Sequence, residues 1–143
     1  KIVLHLHRRK DGEGLLNEMI DLKQRIDLLR YNKQLLFRWI RRIQTGNPID
    51  TFFRENRLEH AALYYWNEMS ELLYYELKKA GICVAGVIDE RKDLKFPLPV
   101  YSKAEELPDV DAIVICTALD SAKIEEELRK QKNCLIFTLD DLL

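Results

Sequence analysis

The sequence predicts an α/β domain with a parallel sheet in the strand order 3-2-1-4-5 and an amino-terminal helical arm. Residues 58–143 alternate between short apolar runs and amphipathic stretches, as in proteins built from strand–helix–strand units. The continuous apolar run Ala112–Thr117 is typical of a strand buried on both faces of a parallel sheet. Residues 15–43 instead follow a helical period. We therefore expect two regions, an arm at 1–57 and the α/β domain at 58–143.

The arm begins with the stretch I-V-L-H-L-H, which predicts a short strand within residues 1–10. His5 and His7 would share one face of that strand, but no third ligand lies nearby, so we expect no metal site. A helix should follow, with a break near Lys33 that can divide it in two. Its seam positions alternate in spacings of four and three, as in a coiled coil, at Leu15, Met19, Leu22, Ile26, Leu29, Lys33, Leu36, Ile40 and Ile43.

Two interpretations of the 15–43 helix stay open: a homodimerisation element, or a long helix that packs on its own domain. The charge distribution bears on both. Residues 1–57 carry 13 Lys and Arg against 7 Asp and Glu, a net charge of +6, and residues 58–143 carry 10 against 17, a net charge of −7. The basic residues match no nucleic-acid motif and the acidic domain would repel phosphate, so we expect no nucleic-acid partner. No apolar run approaches the roughly 20 residues that span a bilayer, and we expect no membrane partner.

Capping and breaking residues define the remaining elements. Gly46 should end the long helix, and Asn47–Pro48 should open a short one, with Asn47 as its cap. Ser102 has the spacing of a capping box before a short helix, and Asp120 or Ser121 should cap a later one. The other predicted elements are strands at about His60–Tyr65, Ile82–Ile88, Val100–Tyr101, Ala112–Thr117 and Cys134–Phe137, and helices at about Glu68–Lys79 and Ala122–Lys130.

The three cysteines, Cys83, Cys116 and Cys134, are odd in number and each lies in an apolar run. We interpret them as buried, reduced thiols of a cytoplasmic protein. The sheet core should contain Cys83, Val87, Ile113, Ile115 and Ile136.

Several motifs together resemble a known family. The run from Leu63 to Asp89 resembles the first βαβ unit of Rossmann-like domains. The stretch Arg30–Leu143 resembles a family of bacterial NAD(P)-binding-type domains found with surface-polysaccharide biosynthesis and glycosyltransferase proteins. The matching features are N-K-Q-L-L-F-R-W-I, E-L-L-Y-Y-E-L-K, V-I-D, P-V-Y-S, D-A-I-V-I-C-T and F-T-L-D-D-L-L. The resemblance implies a nucleotide-binding fold in polysaccharide biosynthesis.

The chain departs from that family at the Gly-rich turn after the first strand. Tyr65, Asn67 and Ser70 occupy the three glycine positions. In nucleotide binders these glycines permit a tight turn, close approach of the pyrophosphate and close helix packing. Asn67 suits the helix cap, and Ser70 is small enough for packing. Glu68 and Glu71 add repulsion of roughly 1–3 kcal/mol each toward a phosphate about 5 Å away.

Other positions at which a Rossmann-like domain would contact a dinucleotide are acidic or polar in this sequence. Asp89 ends the second strand 22 residues after Asn67, near the spacing of the acidic residue that holds the ribose of NAD. It could equally start the following loop. Thr117 and Asp120 follow a strand, where ligands of open α/β sheets bind, although helix capping explains Asp120 as well.

No catalytic motif accompanies this site, since the sequence lacks a nucleophile elbow, a Walker loop and a zinc-protease helix. We therefore expect a non-catalytic accessory Rossmann-like domain, with weak nucleotide or nucleotide-sugar binding or none. A purely structural dimerisation module is the first alternative. The second is part of an NAD(P)-dependent enzyme whose catalytic region lies elsewhere.

Overall fold

The computed structural model describes residues 12–91 and 95–143. The strand expected within residues 1–10, with His5 and His7, lies outside the described residues. The chain divides into two compact units, Lys1–Phe37 and Arg38–Leu143. The proposed boundary between residues 57 and 58 stays a prediction.

Helix α1 spans Gly12–Gln44 as one uninterrupted helix. The break predicted near Lys33 was wrong, because an exposed lysine is compatible with a helix interior. Gly46 follows the helix with a φ of 77°, as predicted for a glycine that ends a helix. Helix α2 then spans Ile49–Glu55. Its cap position is Pro48 rather than Asn47, and no side chain caps it.

The second unit contains a five-stranded, fully parallel sheet in the order β3-β2-β1-β4-β5, which confirms the predicted fold class. Its elements in chain order are β1 (His60–Tyr64), α3 (Glu68–Lys79), β2 (Cys83–Ile88), β3 (Val100–Tyr101), a 3-10 turn (Ala104–Glu106), β4 (Ala112–Ile115), α4 (Ser121–Gln131), β5 (Leu135–Thr138) and α5 (Leu139–Leu142).

Helices cover both faces of this sheet. Helix α3 packs against β2 and α2, whereas α4 packs against β4, β5 and the 3-10 turn. Because side chains alternate along a strand, Ala62 and Ala61 point to opposite faces, and both are fully buried. The core beneath α4 consists of Ala62, Ile88, Ala104, Leu107, Ile113, Ile115, Leu128 and Ile136.

Within the second unit, the end of α1 is attached to the domain by two polar contacts. Trp39 is buried and donates its indole N–H to the Glu76 carboxylate on α3, which also accepts the Ile49 backbone N–H. Arg38 pairs with Asp140 of α5 at 2.5 Å. These contacts fix the last turns of α1 on the α/β domain.

Two further predictions need correction. Cys83 is exposed because it begins β2 at the end of the sheet, where burial has not yet started, whereas Val87, Ile113, Ile115 and Ile136 are buried as predicted. Ser102 forms no capping box, since the 3-10 turn begins after Lys103 without a side-chain cap. None of the described helices is long and apolar enough to cross a membrane.

Candidate functional site

The carboxyl ends of β1 and β4 lie side by side in the sheet, and the strand order reverses between them. Open α/β sheets bind ligands at such a switch point. The loop after β1, the end of β2 and the loop after β4 therefore form the candidate site.

The loop after β1 has the backbone of a glycine turn without its glycine. Tyr65 occupies the first glycine position with a φ of 72°, a left-handed conformation that costs a non-glycine residue about 1–2 kcal/mol. Its N–H donates to the Ile88 carbonyl at 2.9 Å. The backbone at Tyr65 therefore has a conformation that glycine adopts more readily than any other residue.

The start of α3 is capped by its own side chains. The Ser70 N–H donates to Asn67 Oδ1 at 2.9 Å, and the Asn67 N–H donates to Ser70 Oγ at 2.6 Å. Asn67 Nδ2 also donates to the Cys116 carbonyl at 2.9 Å, which ties the loop to the end of β4. Ser70 is fully buried. The cap predicted for Asn67 is confirmed, and two N–H groups at this helix end are already satisfied.

Asp89 is buried and fully engaged by hydrogen bonds. Its Oδ2 accepts the Trp66 N–H at 3.0 Å, and its two oxygens accept Arg91 Nε at 3.0 Å and Nη2 at 2.6 Å. Burial acts to raise the pKa of Asp89, but the bonds from Arg91 and the Trp66 N–H outweigh it and hold the pKa below the usual value. Asp89 is therefore ionised at neutral pH and satisfied within the chain.

Arg91 connects all parts of this arrangement. Besides pairing with Asp89, it donates to the Trp66 carbonyl, and its guanidinium carbon lies 4.2 Å from the centre of the Tyr65 ring. That distance is within the range of a cation–π contact. The group Tyr65, Trp66, Asp89 and Arg91, here called the loop clasp, fills the space beside the first turn of α3.

The residues after β4 form a separate arrangement. Thr117 Oγ1 accepts the Leu119 N–H at 3.2 Å. Asp120 stands at the cap position of α4 with a φ of 54°, but its side chain makes no capping bond, so the predicted side-chain cap was wrong. Its backbone is left-handed, whereas a residue whose side chain caps a helix is typically extended. Thr117 does not line the cleft beside the clasp, whereas Asp120 does.

An open cleft of about 710 Å³ lies between the loop clasp, the 3-10 turn and α4. Its volume is within the range of small-molecule sites. Five acidic side chains line it against three basic ones, so its charge is net negative. The charged lining residues are Asp89, Glu90, Glu105, Asp120, Glu127, Arg91, Lys103 and Lys123.

Two ionisable groups at the carboxyl ends of β1 and β4 have raised pKa values. Burial, with Glu90 and Asp89 nearby, raises the pKa of Tyr64 at the end of β1, so its phenol stays protonated. Burial also raises the pKa of the Cys116 thiol far above its usual value, which leaves it unreactive. In the described ranges 12–91 and 95–143, no group of three or more His, Cys, Asp or Glu could hold a metal ion.

A histidine–aspartate pair does occur, but it lies at the amino ends of the strands, away from the cleft. His60 Nδ1 is 3.7 Å from Asp111, and the same carboxylate accepts the backbone N–H groups of Glu59 and His60 at 2.8 and 2.9 Å. These bonds lower the pKa of Asp111. The pair joins the start of β1 to the start of β4 and has a structural role.

Sequence reasoning placed Tyr65, Asn67, Ser70 and Asp89 in one site, and the structure brings them together around the first turn of α3. It did not identify Arg91. The available signal was an arginine two residues after an aspartate that ends a strand, beside a glycine position filled by an aromatic residue. Comparisons with protein-family models, curated proteins and solved structures gave no match.

Proposed function

We propose that this chain is a non-catalytic accessory α/β domain whose dinucleotide site is filled by its own side chains. The loop clasp is the observation that carries this proposal. Arg91 neutralises Asp89, the residue positioned to hold a ribose, and covers Tyr65, the residue at the first glycine position. A dinucleotide would have to displace this ion pair before it could contact either residue.

The backbone donors of the loop support the same conclusion. Phosphates bind at helix starts because free N–H groups point toward them. Here the Trp66 N–H donates to Asp89, the Asn67 N–H to Ser70 and the Ser70 N–H to Asn67. A phosphate would gain bonds from these three donors only by breaking the contacts that they already make, so that exchange adds little net affinity.

Electrostatics add a further obstacle to anion binding. Glu68 and Glu71 are exposed in the first turn of α3, where they favour the helix and repel a phosphate. The adjoining cleft also has a net negative lining. The negative charge of the two glutamates and that of the cleft lining both oppose a dinucleotide, which carries two phosphates.

The context of the domain follows from the resemblance described above, which supports a role beside polysaccharide-biosynthesis or glycosyltransferase proteins. In that setting the domain would serve assembly rather than chemistry. Its three free cysteines are typical of a reducing compartment and support a cytoplasmic location.

Calorimetric titration with NAD and NADP tests the proposal that side chains of the loop clasp fill the dinucleotide site. The wild-type protein should show no saturable binding below about 100 μM, or roughly −5.5 kcal/mol. The double variant Tyr65→Gly/Arg91→Ala keeps the cap of α3 and opens the clasp, so NAD should bind at least tenfold more tightly. The control Tyr65→Phe retains the ring under Arg91 and should gain nothing. Micromolar binding by the wild type, or no gain in a folded double variant, would overturn the proposal.

Weak nucleotide-sugar binding in the cleft is a second candidate function. It is favoured by the cleft volume of about 710 Å³ and by Lys103 and Lys123, although the net negative lining keeps the binding of a diphosphate weak. A thermal-shift series with UDP-sugars should then show saturable stabilisation that is lost in Lys103→Ala/Lys123→Ala. The control Lys130→Ala, on α4 but outside the cleft lining, should retain it. An unchanged melting temperature at millimolar UDP-sugar would contradict this candidate.

A further inference from the structure

We propose that α1 pairs in an antiparallel orientation with α1 of a second copy of this chain, through the apolar seam first seen in the 15–43 spacing. This inference concerns a different surface from the loop clasp and does not rest on the proposed function.

Most of the seam is exposed between Met19 and Ile43, whereas Leu15, Leu22 and Leu36 are half-buried. Leu29 and Met19 are 69% and 60% exposed, and Ile26, Ile40 and Ile43 are each about half exposed. Leu16 and Phe37, which flank the seam, are also exposed. Soluble monomers seldom leave a long, continuous apolar stripe open to water. The stripe therefore fits a partner that is itself a helix with the same spacing, and a second copy supplies one.

The domain does not use this stripe to hold its own helix. Trp39 and Arg38 make the polar contacts of α1 within the second unit, whereas the neighbouring Ile40 and Ile43 stay exposed. The alternative interpretation, in which the 15–43 seam packs on its own domain, thus leaves the exposed seam residues without an explanation.

The charge distribution selects the antiparallel orientation. Residues 12–28 of α1 carry four acidic and two basic side chains, and residues 29–44 carry five basic and no acidic ones. A parallel pair would place the two basic halves together. An antiparallel pair places each basic half against the partner's acidic half and aligns the helix dipoles favourably.

Lys33 leads to the same orientation. In a parallel pair the two Lys33 side chains would face each other across the seam, because equivalent positions form one layer. An antiparallel register that sets Ile26 opposite Leu36 of the second copy sets Lys33 opposite Leu29. The lysine stem then packs on leucine while its ammonium reaches water. The same register brings the two Arg30 side chains near one another on one flank, where solvent screens them.

Sedimentation of the wild-type protein tests association itself. We expect a dimer at micromolar concentration, and Ile26→Lys should weaken dimerisation at least 100-fold. Since Ile26 is exposed, this variant should fold normally, as a thermal melt can check. Leu119→Lys is the matched control, because Leu119 is an exposed apolar residue outside α1, at 62% against 49% for Ile26, and its dimer should be unaffected.

Disulfide trapping tests the orientation. In a Cys83→Ser background, which removes the exposed native thiol, Ile26→Cys and Leu36→Cys proteins are prepared separately and then mixed under mild oxidation. Antiparallel pairing predicts a cross-linked dimer in the mixture and little in either protein alone. In a parallel pair, position 26 of one helix and position 36 of the other would lie about 15 Å apart, which is too far for a disulfide.

Each alternative result is decisive. A wild-type monomer at 100 μM would overturn the proposal and assign the seam to a different partner. Self-linking of each protein alone through its introduced cysteine would overturn the antiparallel orientation in favour of a parallel one. Neither result bears on NAD binding, so the failure of this proposal and the failure of the closed site can be told apart.

Discussion

Replacing Asp89 by asparagine tests whether the loop clasp stabilises the fold. The carboxylate accepts bonds from the Trp66 N–H and from Arg91 Nε, Nη2 and N–H, at 2.6–3.0 Å. An amide offers one acceptor oxygen, so its NH₂ group must face donors on the other side. Breaking a fully buried ion pair costs about 3–5 kcal/mol. The Arg91 side chain is 38% exposed, so water restores part of its hydration, and we expect a loss of about 2 kcal/mol.

Urea unfolding at neutral pH measures this loss directly, and a thermal melt should show a fall of about 4–8 °C. Glu90→Gln is the control, because Glu90 is the exposed neighbour of Asp89. It should change stability by less than about 0.5 kcal/mol. If Asp89→Asn were as stable as the wild type at pH 7, the clasp would contribute nothing and the reasoning would be wrong.

The pH dependence gives an independent check on the same group. The folded pKa of Asp89 is lower than its ordinary value of 3.8. The ionised carboxylate therefore contributes its full stability above that value, and the contribution is lost as pH falls through the lower folded pKa. The difference between wild type and Asp89→Asn should be constant from pH 7 to 5 and should shrink below pH 4. A difference that stayed constant to pH 3 or grew there would contradict the assigned charge state.

Three further predictions concern the domain itself. Gly86→Ala should destabilise it by about 1–3 kcal/mol in urea unfolding, because an added Cβ would lie 2.5 Å from a Tyr101 ring carbon; an unchanged midpoint would show that the ring moves freely. Asn67→Ala should cost about 1 kcal/mol through loss of the helix cap, and equal stability would contradict the capping role. Native thiol labelling should modify Cys83 rapidly and Cys116 only on unfolding; fast labelling of both would contradict the burial of β4.

The strands of the sheet could be predicted from the sequence because the type of residue at each position reflects how deeply that position is buried. All four residues of β4, Ala112–Ile115, are buried, and a strand covered on both faces must be apolar at every position. Helix α3 was predicted with its observed bounds, since a capping residue starts it and Gly81 follows it with a φ of 81°. Capping residues and the spacing of apolar residues along the chain are enough to predict such elements.

Features that depend on position in the sheet could not be read in this way. Cys83 lies in the same apolar run as Val87, yet only Val87 is buried, because the run does not show where the covering helix begins. The clasp likewise depends on tertiary contacts, between the loop after β1 and the residues that follow β2. The sequence places Arg91 two residues after Asp89, but the position of its guanidinium over the Tyr65 ring depends on how the two loops pack.

The clasp also accounts for a tyrosine at a glycine position. A left-handed Tyr65 costs about 1–2 kcal/mol relative to glycine, and a cation–π contact with Arg91 returns about 0.5–2 kcal/mol, more when it is shielded from water. The two terms nearly cancel, so the substitution needs no external ligand to be tolerated. In a nucleotide-binding loop the donors and the acidic residue gain partners only when the ligand arrives. Here Arg91 bonds to Asp89, and Asn67 and Ser70 bond to each other, so the loop is held by bonds within the chain.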